Sequence, residues 1–204
     1  SLTLFADRNV DREIFGWIMP ASMTQFFNPA FIILFGSIFS VMWIKLSQIN
    51  KNPSIPMKFA LGIIQLGLGF LITMVGQQFV NDAFAVPLFT LVLLYMLHTT
   101  GELFLSPIGL SMVTKLAPKH MTGTAMGGWF LSFAIGNYTA ALIAKLTGSG
   151  GHEGGDTAGE AVSAAQGLST YIDVFSNIGL VIVGIGLLVA LLAKPLNKLM
   201  HGIR

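Results

Sequence analysis

The chain is organised by where its charges are missing. Residues 21–44, 59–80, 121–144 and 174–193 contain no Asp, Glu, Lys or Arg, and residues 85–113 contain a single one, Glu102. Each run reaches the ~20 residues that cross ~30 Å of hydrocarbon at ~1.5 Å per residue. The pattern predicts five membrane-spanning helices, at about 21–44, 57–80, 85–116, 121–146 and 171–193. The expected fold class is an all-α membrane protein. Residues 1–6 read as the tail of a further helix, and a chain that opens on Ser1 is expected to begin partway through a longer protein.

Composition narrows the function classes. Only 10% of the 204 residues are charged and 53% are hydrophobic, against about 25% charged in soluble domains. That leaves too little polar surface to coat a soluble globule, and it excludes intrinsic disorder. A formal net charge of +2 is no basic patch, so no nucleic-acid partner is expected. The lack of Cys removes disulfide scaffolds, thiolate metal sites and Cys nucleophiles. Residues 1–13 hold five charges and no cleavage-type tail, so they do not read as a signal peptide.

The polar breaks carry turn chemistry: Asn50, Asn52, Pro53 and Pro56, then Asn81, Asp82 and Pro87, then Pro118. Residues 147–170 are expected to form a flexible outer loop, since GSGGHEGGDTAGE at 148–160 cannot pack a core. It lacks the strand and GK[ST] ending of a phosphate cradle. Lys45, Lys51, Lys58, Lys115, Lys119, Lys194, Lys198 and Arg204 fall on one side of the five crossings with no acid among them. The other side holds eight acids and three basic residues. Because Lys and Arg favour the cytoplasmic face, the C-terminus is expected to be cytoplasmic and the protein a multi-pass plasma-membrane one.

Glu102 is then the one formally charged side chain inside the bilayer. A charge there costs ~2.5–3.5 kcal/mol on insertion scales, so two readings stand: a structural Glu bonded to a neighbouring helix, or a carboxylate facing a polar cavity. His98 and Ser106 lie four residues to either side, and Tyr95 seven before, so all are placed on one helix face. For Tyr95 and His98, polar packing between helices and cavity lining are both open. Pro107 removes a backbone donor beside Ser106, and a kink is expected there. Asn28-Pro29 forms a second break, a few turns into its helix, freeing a carbonyl near Gln25. Asn28 either repairs that break or presents its amide to a substrate. Thr124, Gly128, Ser132, Gly136, Ala140 and Ala144 form a small-residue stripe expected to pack against another helix. Trp129 beside it is either an interfacial anchor or a pocket wall. Residues 178–192 have no polar handle and read as scaffold or lipid-facing surface.

A transporter needs a midplane polar site on broken helices, and Glu102, Asn28-Pro29 and Ser106-Pro107 supply one. An intramembrane enzyme needs a nucleophile–base pair or a metal site. The sequence has no HExxH, GxSG or paired intramembrane acids, so no catalytic and no metal-ligating residues are assigned. A channel needs a re-entrant filter loop, and no segment of that kind is present.

FFNPAFIILF at 26–35 and GELFLSPIGLSMVTKLAP at 101–118 closely resemble the proton-dependent oligopeptide transporter family, as do FADRNVDREIFGWIMPAS at 5–22 and TGTAMGGWFL at 122–131. The resemblance implies a major-facilitator fold of two six-helix halves, with this chain running from the end of helix 7 through helix 12 of a bacterial inner-membrane protein. It implies symport of di- and tripeptides with protons, no cofactor beyond protons as coupling ion, and partnership with the bilayer and an N-terminal half. It places the peptide amino terminus on Glu102, assisted by Asn28, with Ser106 and Trp129 lining the pocket. Tyr95, His98 and Gln25 remain as further cavity-lining candidates. Some members of the family carry other solutes such as nitrate, which stays as the alternative.

Overall fold

The computed structural model describes residues 2–146 and 164–200. A short helix α1 (Leu2–Asn9) leads into a two-residue strand β1 (Val10–Asp11) and a hairpin of β2 (Glu13–Ile14) and β3 (Trp17–Ile18). A 3-10 turn at Ala21–Phe26 then feeds α2 (Phe27–Gln48). After α3 (Ile55–Gly76) and a 3-10 turn at Gln77–Phe79, strand β4 (Val86–Pro87) precedes α4 (Leu88–Leu116). A last 3-10 turn at Lys119–Met121 opens α5 (Thr122–Leu146), and α6 (Ala164–Leu199) closes the described chain. Proline sets the entrances. Pro20, Pro87 and Pro118 stand immediately before helical segments and Pro56 lies in the first turn of α3, where a missing N–H costs nothing.

Among the described residues four segments are long and apolar enough to cross a membrane: Ala21–Gln48, Ile55–Phe79, Leu88–Leu116 and Gln166–Leu199. The expected fourth helix is present as α5, with 25 residues. Three expectations need correction. Helix 171–193 is longer than its uncharged core, since α6 extends over Ala164–Leu199 and takes in residues 164–170 of the expected loop; the rest of that loop, 147–163, lies outside the described residues. The Asn28-Pro29 pair is not several turns into a helix, because 3-10 geometry persists to Phe26 and Pro29 sits in the first turn of α2. The small-residue stripe makes no packing seam within this chain: Thr124, Gly128, Ser132, Gly136 and Ala140 are all exposed, and no atom comes within 4 Å of a Cβ placed on Gly128 or Gly136; the surroundings of Ala144 lie outside the described residues.

Close packing occurs instead on α3, which lies between α4 and α6. A Cβ on Gly62 would stand 2.8 Å from the Gly101 carbonyl oxygen of α4, and one on Gly101 would stand 2.9 Å from that of Gly62. On the other flank a Cβ on Gly67 would meet the Gly179 carbonyl of α6 at 2.8 Å, and one on Gly179 the Gly67 carbonyl at 2.9 Å. Both crossings therefore run backbone on backbone. Lipid tails are as apolar as leucine, so helices in a bilayer gain little from burying apolar surface and depend on such close approach.

The end of the bundle that carries α1 is held differently. Phe5, Ala6, Val10, Val86, Leu91, Tyr95, Leu168, Tyr171, Ile172 and Phe175 form one buried cluster joining α1, α4 and α6, with the Phe5 ring 5.4 Å from Tyr171 and 5.6 Å from Phe175. Parallel pairing of β1 with β4 ties the end of α1 to the start of α4. Arg12 pairs with Asp7 at 3.1 Å and donates to the Met19 carbonyl at 2.6 Å. Nδ2 of Asn81 donates to Asp11 at 3.2 Å, while its Oδ1 accepts from the Ala83 and Ala85 N–H groups, both at 3.0 Å. The hairpin turn puts Phe15 at φ 50° and Gly16 at φ 83°, the primed-turn geometry of two-residue hairpins.

Gly67→Leu is expected to destabilise the full-length protein in detergent by ~1–3 kcal/mol through overpacking. Gly36→Leu, at a site on α2 with nothing within 4 Å of the added Cβ, is expected to leave the melting temperature nearly unchanged. Equal melting curves for the two variants would contradict the packing described.

Candidate functional site

The site is built on the facing helices α2 and α4. Along α2 the rings of Phe27, Phe31, Phe35, Phe39 and Trp43 follow one another every four residues, with centroids 5.9–6.5 Å apart. Helix α4 meets this row at two levels. Tyr95 lies 6.1 Å from Phe27, and Phe104 stands edge-on at 5.0 Å to Phe39 and 5.2 Å to Trp43. Glu102 falls between those two levels on α4.

Glu102 is exposed. Its neighbours Gly101 and Leu105 are taken up by α3 at Gly62, and the carboxylate makes no hydrogen bond or ion pair among the described residues. The one ion pair described is Asp7–Arg12, at the end that carries α1. Ser106 is half-buried and Pro107 exposed one turn further on. Helix α4 continues through Pro107 to Leu116, so the Leu103 carbonyl, one turn back, loses its helical donor. An acid, a hydroxyl and an uncommitted carbonyl thus share one stretch of helix.

Asn28 is half-buried, and its Oδ1 is fully enclosed with no hydrogen-bond partner. An enclosed amide oxygen without a donor costs about 1–3 kcal/mol. Asn28 and Glu102 make no hydrogen bond to each other among the described residues. Gln25 is exposed and donates to the Thr3 hydroxyl at 2.9 Å. Tyr95 is only 7% exposed and packs toward Thr24, whose own hydroxyl donates to the Ala21 carbonyl at 2.6 Å.

The face expected to be common to His98, Glu102 and Ser106 divides. Each step of four residues turns a helix ~40° beyond a full revolution, and α3 takes up the His98 side. The His98 ring lies over Gly69, 4.6 Å and edge-on from Phe70, with Nε2 buried and without a partner. The Glu102 side stays open. Trp129 is half-buried on α5 and rests on Gly109 of α4, with the Phe59 ring alongside and Phe133 at 6.2 Å. Gly109 comes seven residues after Glu102, so the indole closes the inner end of the face that Glu102 occupies. The aromatic row of α2 went unread in the sequence, although its spacing of four was there to find.

The architecture matches solved structures along nearly the whole chain. The peptide transporter POT in complex with sulfate superposes with a TM-score of 0.81 at 31% identity, covering 98% of this chain and 36% of that one. A variant of the peptide transporter POT in complex with alafosfalin gives 0.72 at 30% identity, covering 98% and 37%. The molecule is accordingly a multi-pass helical membrane protein of the major-facilitator type. Residues 1–161 match the POT family, PTR2, and dipeptide and tripeptide permease B of Aliivibrio fischeri is 34% identical over 206 residues. The chain belongs to the POT family. It spans about two-fifths of that relative, covering 39% of its length against 98% of this chain.

Gly69→Val is expected to push the His98 ring off α3 and lower thermal stability, and His98→Ala in the same protein to restore part of the loss. A coupling energy of ~0.5–3 kcal/mol is expected from the double-mutant cycle. Strict additivity would show that the ring does not fill the Gly69 notch.

Proposed function

We propose that this chain is the C-terminal half of a proton-coupled symporter of di- and tripeptides in the bacterial inner membrane, with the Lys-rich helix ends and the C-terminus in the cytoplasm. The observation that carries the reading is the exposed Glu102 carboxylate, uncommitted on α4, with the Asn28 Oδ1 on the facing helix α2 as an acceptor left without a donor. Both accept and neither donates at those atoms, which suits a primary ammonium with its three N–H donors. Ser106 would add a neutral hydrogen bond, and Trp129 a flat apolar wall for the first side chain. Relatives named as dipeptide and tripeptide permeases support the same substrate class. An N-terminal half would supply the opposite wall, the group for the peptide carboxylate and the proton-coupling residues. Rocking of the two halves about the site would give alternating access.

Glu102→Gln in the full-length protein is expected to weaken peptide binding by ~2–5 kcal/mol, because the ammonium loses its counter-ion in a water-poor site. Ser106→Ala is expected to cost only ~0.5–1.5 kcal/mol. Peptide counterflow, which needs no net proton movement, separates lost binding from lost coupling. Normal counterflow in Glu102→Gln would reject the amine-binding role. An N-acetylated dipeptide is expected to compete far less well than its free parent, and nitrate competing better than either would reject the peptide reading.

A further inference from the structure

The loop ends of α2, α3 and α4 gather Lys45, Lys58 and Lys115. Lys45 and Lys115 are exposed, whereas Lys58 is only 7% exposed. Its Nζ lies 4.4 Å from the centroid of the Trp43 ring, and that ring is itself held edge-on by Phe104 at 5.2 Å. The charged neighbour that acts on Lys58 is Lys115, of the same sign. No carboxylate pairs with Lys58 among the described residues, and its three N–H donors find no acceptor there. The stem of Lys58 is covered while its Nζ is not among the enclosed polar atoms, so the ammonium stays accessible at the helix end, and two cations acting on each other there favour an anion between them.

These features together describe what an anion at a membrane surface requires. Lys58 and Lys115 come from different helices, α3 and α4, and their charges act on each other. Trp43 brings an amphipathic ring of the kind that settles at headgroup level. The site lies where three membrane-length helices end, the setting in which basic pockets between helices take lipid phosphates. We propose that Lys58, Lys115 and Trp43 form a binding site for the phosphate of an anionic lipid headgroup. A phosphodiester fits better than a side-chain carboxylate from elsewhere in the protein. It offers one free oxygen to each ammonium, and its acyl chains match the exposed apolar surface that Val41 and Ile44 give α2 near this end.

The test uses the full-length protein in nanodiscs of mixed phosphatidylglycerol and phosphatidylcholine, with retained lipid measured by native mass spectrometry. The wild type is expected to retain phosphatidylglycerol preferentially. Lys58→Met and Lys115→Gln are each expected to reduce that retention about fivefold, and Lys58→Arg to preserve it. If Lys58→Met does not fold, the exposed Lys115 carries the test. Unchanged retention in the neutral variants would overturn the site. Displacement of the lipid by inorganic phosphate would overturn the lipid assignment in favour of a free-phosphate site. Equal loss of stability by Lys58→Met in phosphatidylcholine alone and in the mixture would point to a protein carboxylate and overturn it too.

Discussion

Contact of one helix backbone with another, made where neither carries a side chain, is what the rest of the chain depends on. Gly62 against Gly101 and Gly67 against Gly179 bring α4 and α6 onto opposite flanks of α3. With α3 fixed in this way, Gly101 and Leu105 of α4 turn inward and Glu102 turns out. The position of the acid follows from the glycine that precedes it, because successive residues on a helix lie ~100° apart and cannot face the same neighbour.

The remaining helices attach to that three-helix slab by weaker means. Helix α2 has no buried residue and meets α4 through aromatic rings at two levels. Helix α5 rests on α4 mainly where Trp129 covers Gly109. The faces that α2, α4 and α5 leave open carry Glu102, Pro107 and a long exposed stretch of α5. Rigid packing and chemical availability are thus segregated onto different sides of α4. Its glycine side is covered by α3, and its acid side is left open.

The helices were legible because the bilayer imposes a length and a polarity that sequence displays directly. Charge-free runs located all five to within a few residues, apart from the N-terminal part of α6. That part reads as loop because it adjoins GSGGHEGGDTAGE at 148–160, yet Leu168, Tyr171, Ile172 and Phe175 pull it into the cluster around α1. The seam within this chain differs from the expected one for a related reason. Small residues every four positions on α5 looked more regular than the glycines of α3, but a small residue creates a seam only where a partner helix arrives. Glu102 was legible as a lone intramembrane acid. The division of its face from that of His98 was not, since which side α3 covers is a property of three helices at once. The short strands β1 and β4 were invisible: two-residue pairings leave no periodicity to read.

The turn between α3 and α4 shows where this fold has no slack. Asn81 spends both ends of one amide there, with its oxygen on two N–H groups of its own turn and its nitrogen on Asp11, seventy positions earlier in the chain. Pairing of Val10 with Val86 fixes the register immediately beyond. One inserted residue would put the wrong groups opposite Asp11 and Val10 together. The connection between α2 and α3 is the opposite case. Asn50 ends α2 with a positive φ of 55°, and residues 49–52 are exposed, with their backbone bonds directed back into the helix they leave. For an epitope, a fluorophore or a fused domain, that second junction is the place where the chain can be opened without unpicking the bundle.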